Sequence, residues 1–205
     1  MSHFSYSSVD PGRDRRHVPQ HRRVEPGEWP KLEAALDVVN RDVTATLPGQ
    51  EPLVLMLVPG WKPASRGAID GDQVYVALPD GRSQGNAVNA SHVEEGDPKE
   101  PDDATTILAV VADAAQETVM ELLWQVWPVC WVHKTGMHPR PAGTDAGRYQ
   151  GEGETDPAAQ PVWWCRGGRS GECHDVSPVG ELAATLPGKQ RRALRRGRRG
   201  QHGHP

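Results

Sequence analysis

The chain has 205 residues, of which 22 are glycine and 19 proline, so the two residue types that most often break regular structure make up a fifth of it. Leu, Ile, Val and Phe together fall below a fifth, yet the net charge is only −4; this excludes both a wholly disordered polyelectrolyte and a chain that is core from end to end. A modest folded body with open tails and long loops is the expectation, and no apolar run nears the roughly 20 residues that a membrane span needs.

Residues 1–27 are polar, rich in Ser, Pro and Arg, and read as a disordered tail. They hold no apolar stretch of the kind a secretory signal carries, and nothing hydrophobic follows Arg15 and Arg16, so a cytoplasmic location is the expectation. From Trp29-Pro30 the pattern changes. Leu32, Ala35, Leu36, Val39 and Val43 make one helical stripe, with Pro30 at a first-turn position and Pro48-Gly49 as the stop. Leu53–Val58 is an unbroken apolar run that reads as a buried strand. Gln73–Leu78 alternates, with Val74 and Val76 on one face, and reads as a second strand. Residues 59–72 between them are too many for a tight hairpin. A weak third strand is expected over 86–93, then an acidic linker over 94–103.

Asp102 or Asp103 should cap the best helix in the chain. Its stripe is Ile107, Val111, Ala114, Thr118, Val119, Leu122 and Val126. Asp113, Gln116, Glu117 and Glu121 form its polar side, and Pro128 stops it after Trp127. Residues 142–160 are Gly-rich and acidic and read as a flexible loop. Pro161–Cys165 is a short strand, and 174–182 returns as a strand or turn. The segment Lys189–Arg199 then carries seven positive charges and no acid, while the first 188 residues hold sixteen basic against 27 acidic groups. A basic tail on an acidic body fits nucleic-acid binding through Arg191, Arg192, Arg195 and Arg196, or a solvated tail, including one that folds against its own body.

All three cysteines lie between Trp127 and Leu182, together with His133, His138 and His174. An odd number of cysteines in a reducing compartment points away from disulfides, toward free, reactive or metal-bound thiols. Cys130 and His133 form a C-x-x-H pair, a spacing that lets one turn present two ligands to one metal. Cys165 follows, then Cys173 and His174. Four ligands in two clusters suit one tetrahedral, structural Zn²⁺. Cys173 and His174 are adjacent, so an extended segment would turn them to opposite faces and offer only one of them. His138 is a further candidate for the fourth place. Among the tryptophans, Trp131 and Trp164 are the candidates for an outward, binding face, while the others pack the module onto the long helix.

The run WPVC-x-x-H, followed by H-P, VWWC, a histidine and VGEL, resembles a group of actinobacterial proteins with small zinc-ribbon-like modules joined to a preceding helix. The likeness spans roughly residues 116–182. It implies a fold and a metal, with the late histidine at His174, and no activity. The Cys at 173 is not part of that pattern.

Nucleotide-binding glycine loops and H-E-x-x-H are missing from the sequence. Glu172 and Asp175 flank the second cluster, which keeps a zinc hydrolase as an alternative. The expected architecture is α+β. A body over 28–128, a small sheet with two helices, is followed by a zinc-ribbon-like module over 128–182 and a basic tail over 183–205. The expected function is a non-catalytic zinc-binding adaptor for a protein partner. Nucleic-acid binding through the tail is the alternative, with no role at a membrane.

Overall fold

A computed structural model describes residues 21–59, 71–89, 100–143, 159–168, 172–189 and 191–192. The order of elements is β1 (Arg22–Arg23), α1 (Pro30–Thr46), β2 (Val54–Val58), β3 (Gln73–Ala77), α2 (Ala104–Leu123), β4 (Met137–Pro141), β5 (Pro161–Cys165), β6 (His174–Pro178) and α3 (Leu182–Thr185). They form an α+β fold with two three-stranded antiparallel sheets, β1-β2-β3 and β4-β5-β6.

Helix α1 starts where the sequence places it. Pro30 sits at the first turn, and the Glu33 carboxylate accepts the backbone N–H groups of Gly27 and Trp29, which the helix leaves unpaired. Leu32, Ala35, Leu36, Val39 and Val43 are buried, as their spacing predicts. The Asn40 side chain then clips the chain into β2. Its amide donates to Leu53 O at 3.0 Å and its oxygen accepts Leu53 N–H at 2.8 Å. Strands β2 and β3 pair in register from Val54–Ala77 to Val58–Gln73.

The third strand of this sheet is not the segment 86–93. Residues 86–89 form no strand, and 90–93 lie outside the described residues. Asn89 covers the open edge of β3 instead, accepting Val74 N–H and donating to Asp72 O, each at 2.8 Å. The third strand is Arg22–Arg23, in the stretch read as a disordered tail. Two exposed arginines carry no hydrophobic pattern; the pairing with Met56 and Leu57 places them.

Helix α2 is capped by Asp103, whose carboxylate accepts Thr106 N–H at 2.6 Å. It ends at Leu123, four residues before the expected stop, because Trp124 takes a left-handed conformation with φ 53°. Val126 therefore leaves the stripe and is exposed. Gln116, expected on the polar side, is buried. Its amide group donates to Trp127 O at 2.9 Å and also to Met137 O, so it satisfies carbonyls where the second sheet meets the helix. Thr118 Oγ1 lies 3.0 Å from both Val76 O and Gln84 O, tying α2 to the first sheet.

The body and the second sheet share one core. Leu32, Val39, Val74 and Val111 belong to the same buried cluster as Trp127, Cys130, Trp163 and Leu182. Trp163 packs edge-on against Trp127, ring centroids 5.3 Å apart. Asp42, fully buried on α1, fixes this junction. Its Oδ2 accepts Trp163 Nε1–H and Gly180 N–H, each at 2.6 Å, and its Oδ1 accepts Leu182 N–H at 2.8 Å. No helix among the described residues is long and apolar enough to cross a membrane.

Burial raises the Asp42 pKa above the ordinary carboxylate value, and the three N–H donors pull it only partly back. The folded chain thus binds this proton more tightly than the unfolded one. The stability contributed by the group is greatest below the unfolded value of about 3.9 and falls as pH rises through the folded pKa. Asp42→Asn removes that slope. It also turns an N–H₂ toward backbone or indole donors and lowers stability at pH 7 by about 1–3 kcal/mol in urea unfolding. Asp37→Asn, at an exposed site of the same helix, stays within about 0.5 kcal/mol of the parent.

Candidate metal centre

Two pieces of chain meet at one end of the second sheet. The first is a turn that enters β4. A bridge between Val129 and Gly136 closes it, with Cys130 N–H donating to Thr135 O at 2.9 Å and Lys134 N–H to Cys130 O at 2.8 Å. Lys134 takes the left-handed conformation, φ 59°, that lets so short a turn close. The turn brings Cys130 and His133 to the same side. The second piece is the end of the β5–β6 ladder, where Cys165 pairs directly with His174. Paired residues of an antiparallel ladder share a face.

The ligand atoms of Cys130, His133, Cys165 and His174 all lie within 4.8 Å of one another. Cys130 Sγ is 3.8 Å from His133 Nδ1 and 3.8 Å from His174 Nε2, and Cys165 Sγ is 3.4 Å from His133 Nδ1. An ion with bonds of about 2.3 Å to sulfur and 2.0–2.1 Å to nitrogen, in tetrahedral array, separates S and N ligand atoms by about 3.6 Å. The three measured separations bracket that value. Two soft thiolates and two imidazoles are a donor set that suits zinc, and the fit is therefore one of both geometry and chemistry.

The surroundings are built for sulfur. Both cysteines are buried while the two histidines are partly exposed. Burial raises the Cys130 thiol pKa, the backbone N–H groups of His133 and Val132 act the other way, and the neighbouring Cys165 raises it further. Two thiolates this close repel each other, and a cation between them removes that penalty. Gly167 N–H donates to Cys165 Sγ at 3.4 Å, and Thr135 Oγ1 lies 3.5 Å from the same sulfur. Gly167 is bound to be glycine. Its φ is +84°, and a Cβ there would run into the backbone of Glu172. Gly167 and Thr135 belong to no ligand pattern in the sequence; the Gly167-Gly168 pair, which begins two residues after Cys165, is the available signal.

The remaining candidates fall outside this group. Cys173 is half-buried, with Sγ 3.6 Å from Arg166 O, so the alternation of faces leaves His174 as the residue turned to the cluster. His138 is not among the four; its Nδ1 lies 3.2 Å from Gln116 Oε1. Neither flanking acid joins them. Asp175 accepts Gly143 N–H at 2.8 Å, and Glu172 is exposed. Trp164 does not face outward. It is 1% exposed, because β5 is covered on both faces and Trp163 is buried with it. Trp131 is half-buried, with Lys134 Nζ 5.0 Å from its ring centroid. Arg191 and Arg192 are exposed, and Arg195 and Arg196 lie outside the described residues, as does most of the 59–72 and 142–160 loops.

No known protein family matches this chain, and no curated protein or solved structure shows significant similarity to it.

Ligand identity has a direct check. Cys173→Ser retains the metal content of the parent, whereas His174→Ala weakens metal affinity by about 100-fold or more in a competition titration with a chelating dye. Zinc binds the thiolate and not the thiol, and burial favours the protonated form of Cys130. Zinc binding to the apo chain at pH 7 therefore releases protons, read from the dependence of the calorimetric enthalpy on buffer.

Proposed function

We propose that this protein is a non-catalytic interaction protein whose second sheet is a zinc-ribbon-like module holding one structural Zn²⁺. The observation that carries this reading is the convergence of four protein ligand atoms, from two distant chain segments, within 4.8 Å of one another, with three S–N separations near the tetrahedral value. A structural zinc site is closed by four protein ligands, whereas a catalytic one keeps a position for water and a general base beside it. Here four ligands come from the protein, and among the described residues no carboxylate joins them.

Bound at this point, zinc would supply a cross-link and a counter-charge for two buried thiolates. The chain's own residues do the rest. The 130–136 turn and the β5–β6 end are separate pieces of backbone, and the four side chains would fix their relative position. Trp127, three residues before Cys130, donates its indole N–H to Thr46 Oγ1 at 2.7 Å, so the order imposed at the site reaches the end of α1. What the module presents is then a rigid surface for a partner, with the cytoplasm as the expected setting.

Elemental analysis of untagged protein should find one zinc per chain. Cobalt exchanged into the site should show the visible bands of tetrahedral Co²⁺ with thiolate ligands. Cys130→Ser and Cys165→Ser should lose the metal and the near-ultraviolet circular dichroism of the packed tryptophans together. With free zinc at about 100 times its dissociation constant, folding gains about 2.7 kcal/mol over the chelated chain. Metal loss with an intact fold would overturn the structural role, and protein that neither carries nor takes up metal would overturn the zinc reading itself.

A further inference from the structure

Helices α1 and α2 both end on one shallow groove, away from the metal centre in sequence. Two adjoining hollows of about 400 and 520 Å³ share Gly49, Gln50 and Leu123; Thr46 and Gln125 border one, and Glu51, Asp80 and Arg82 the other. The C-terminal end of a helix carries partial negative charge, and a Lys or Arg in the last turn commonly offsets it. Neither α1 nor α2 has a basic residue there. Glu51 adds a carboxylate, while Asp80 is already paired with Arg82 at 2.8 Å. Two helix ends and a free-standing acid thus make a seat for cations.

A second observation is independent of the charge. Trp124 lines neither hollow but stands between the lining residues Leu123 and Gln125 in the chain, where it holds the left-handed position that closes α2, and it is 88% exposed. Glycine is the residue that takes this backbone at least cost. The core gains nothing from an indole left in water. An exposed indole is, however, the best side-chain platform for a guanidinium.

We propose that the groove receives the chain's own arginine-rich segment, residues 193–199, with an arginine of that segment stacked on Trp124. Charge complementarity points to this occupant. The segment holds Arg195, Arg196, Arg198 and Arg199 without an acid, against a large acidic excess in the first 188 residues. The chain passes close to the groove before it leaves the described residues. Leu182 N–H is bonded to Asp42, which stands one helical turn before Thr46 at the groove's edge. Arg192 is the last described residue, and at about 3.3–3.6 Å per residue the arginines three to seven positions beyond it reach roughly 10–25 Å further. The proposal stands apart from the metal reading, since no ligand of the cluster takes part.

The test is hydrogen–deuterium exchange on the full-length chain, read at residues 46–51, an element that does not contain Trp124. Three chains are compared: the parent, the charge-reversed chain (Arg195, Arg196, Arg198 and Arg199 each to Glu), and Trp124→Ala. Exchange at 46–51 should rise about threefold or more in both variants and in the parent at 1 M NaCl. Trp124→Phe should restore much of the protection. Exchange across Leu32–Val39 and β5 serves as the control for folding and should not change. Equal exchange at 46–51 in the parent and the charge-reversed chain would overturn the proposal. So would protection that grows with protein concentration, which would make the occupant a second copy. A short DNA duplex that binds the parent and Trp124→Ala equally, without altering exchange at 46–51, would also overturn it and assign the arginines to nucleic acid.

Discussion

The arrangement depends on a buried carboxylate. Asp42 stands on a helix whose other inward residues are apolar, and it collects three N–H donors from β5 and from the turn into α3. Hydrophobic contact is non-directional; it would hold the second sheet against α1 in many orientations. Three hydrogen bonds to two oxygens hold it in one. An ionised group in such a place is weak as a source of net stability, because desolvation opposes it. Its strength lies in what its loss leaves behind: an indole N–H and two backbone N–H groups without acceptors. Orientation matters here because Trp163, the donor to Asp42, is two residues from Cys165 on the same strand. The carboxylate that seats the sheet also aims one of the ligands.

The candidate metal centre extends the same logic to one end of the sheet. Ladder register, a tight turn and a glycine each fix a different part of it. Cys165 and His174 are set by strand pairing, Cys130 and His133 by the turn closed through Lys134, and the loop after Cys165 by the conformation that only Gly167 adopts without strain. None of these devices is strong alone. Convergence of four ligand atoms from such separate causes is what an ion of fixed bond length and angle requires.

Legibility in the sequence followed the source of order. The core faces of α1 and the strands β2, β3 and β5 were readable because period and length determine them. Elements fixed by a neighbour were not. Arg22–Arg23 becomes a strand only because β2 offers an open edge, and Gln116 is buried only because the second sheet crosses α2 at that point. Alternation failed for Trp163 and Trp164, since a strand covered on both faces has no outward side. At the metal centre, spacing alone showed Cys130, His133 and Cys165 as one candidate set. It reduced Cys173 and His174 to a single place, and the register of β5 on β6 then put His174 there. Asp42 left no trace in the pattern, because a lone acid within an apolar stripe looks the same whether it faces water or three donors.

The two ligand pairs are separated in the chain by the β4–β5 connection, which lies wholly inside the ring that a shared ion would close. For such a ring the entropy of closure grows only with the logarithm of its length, so even doubling the whole ring costs about 0.6 kcal/mol. Residues 142–160 could therefore lengthen, shorten or exchange their sequence through evolution while the register of β4 on β5 and the four ligands stayed as they are. The site and the loop it encircles are free to evolve at different rates.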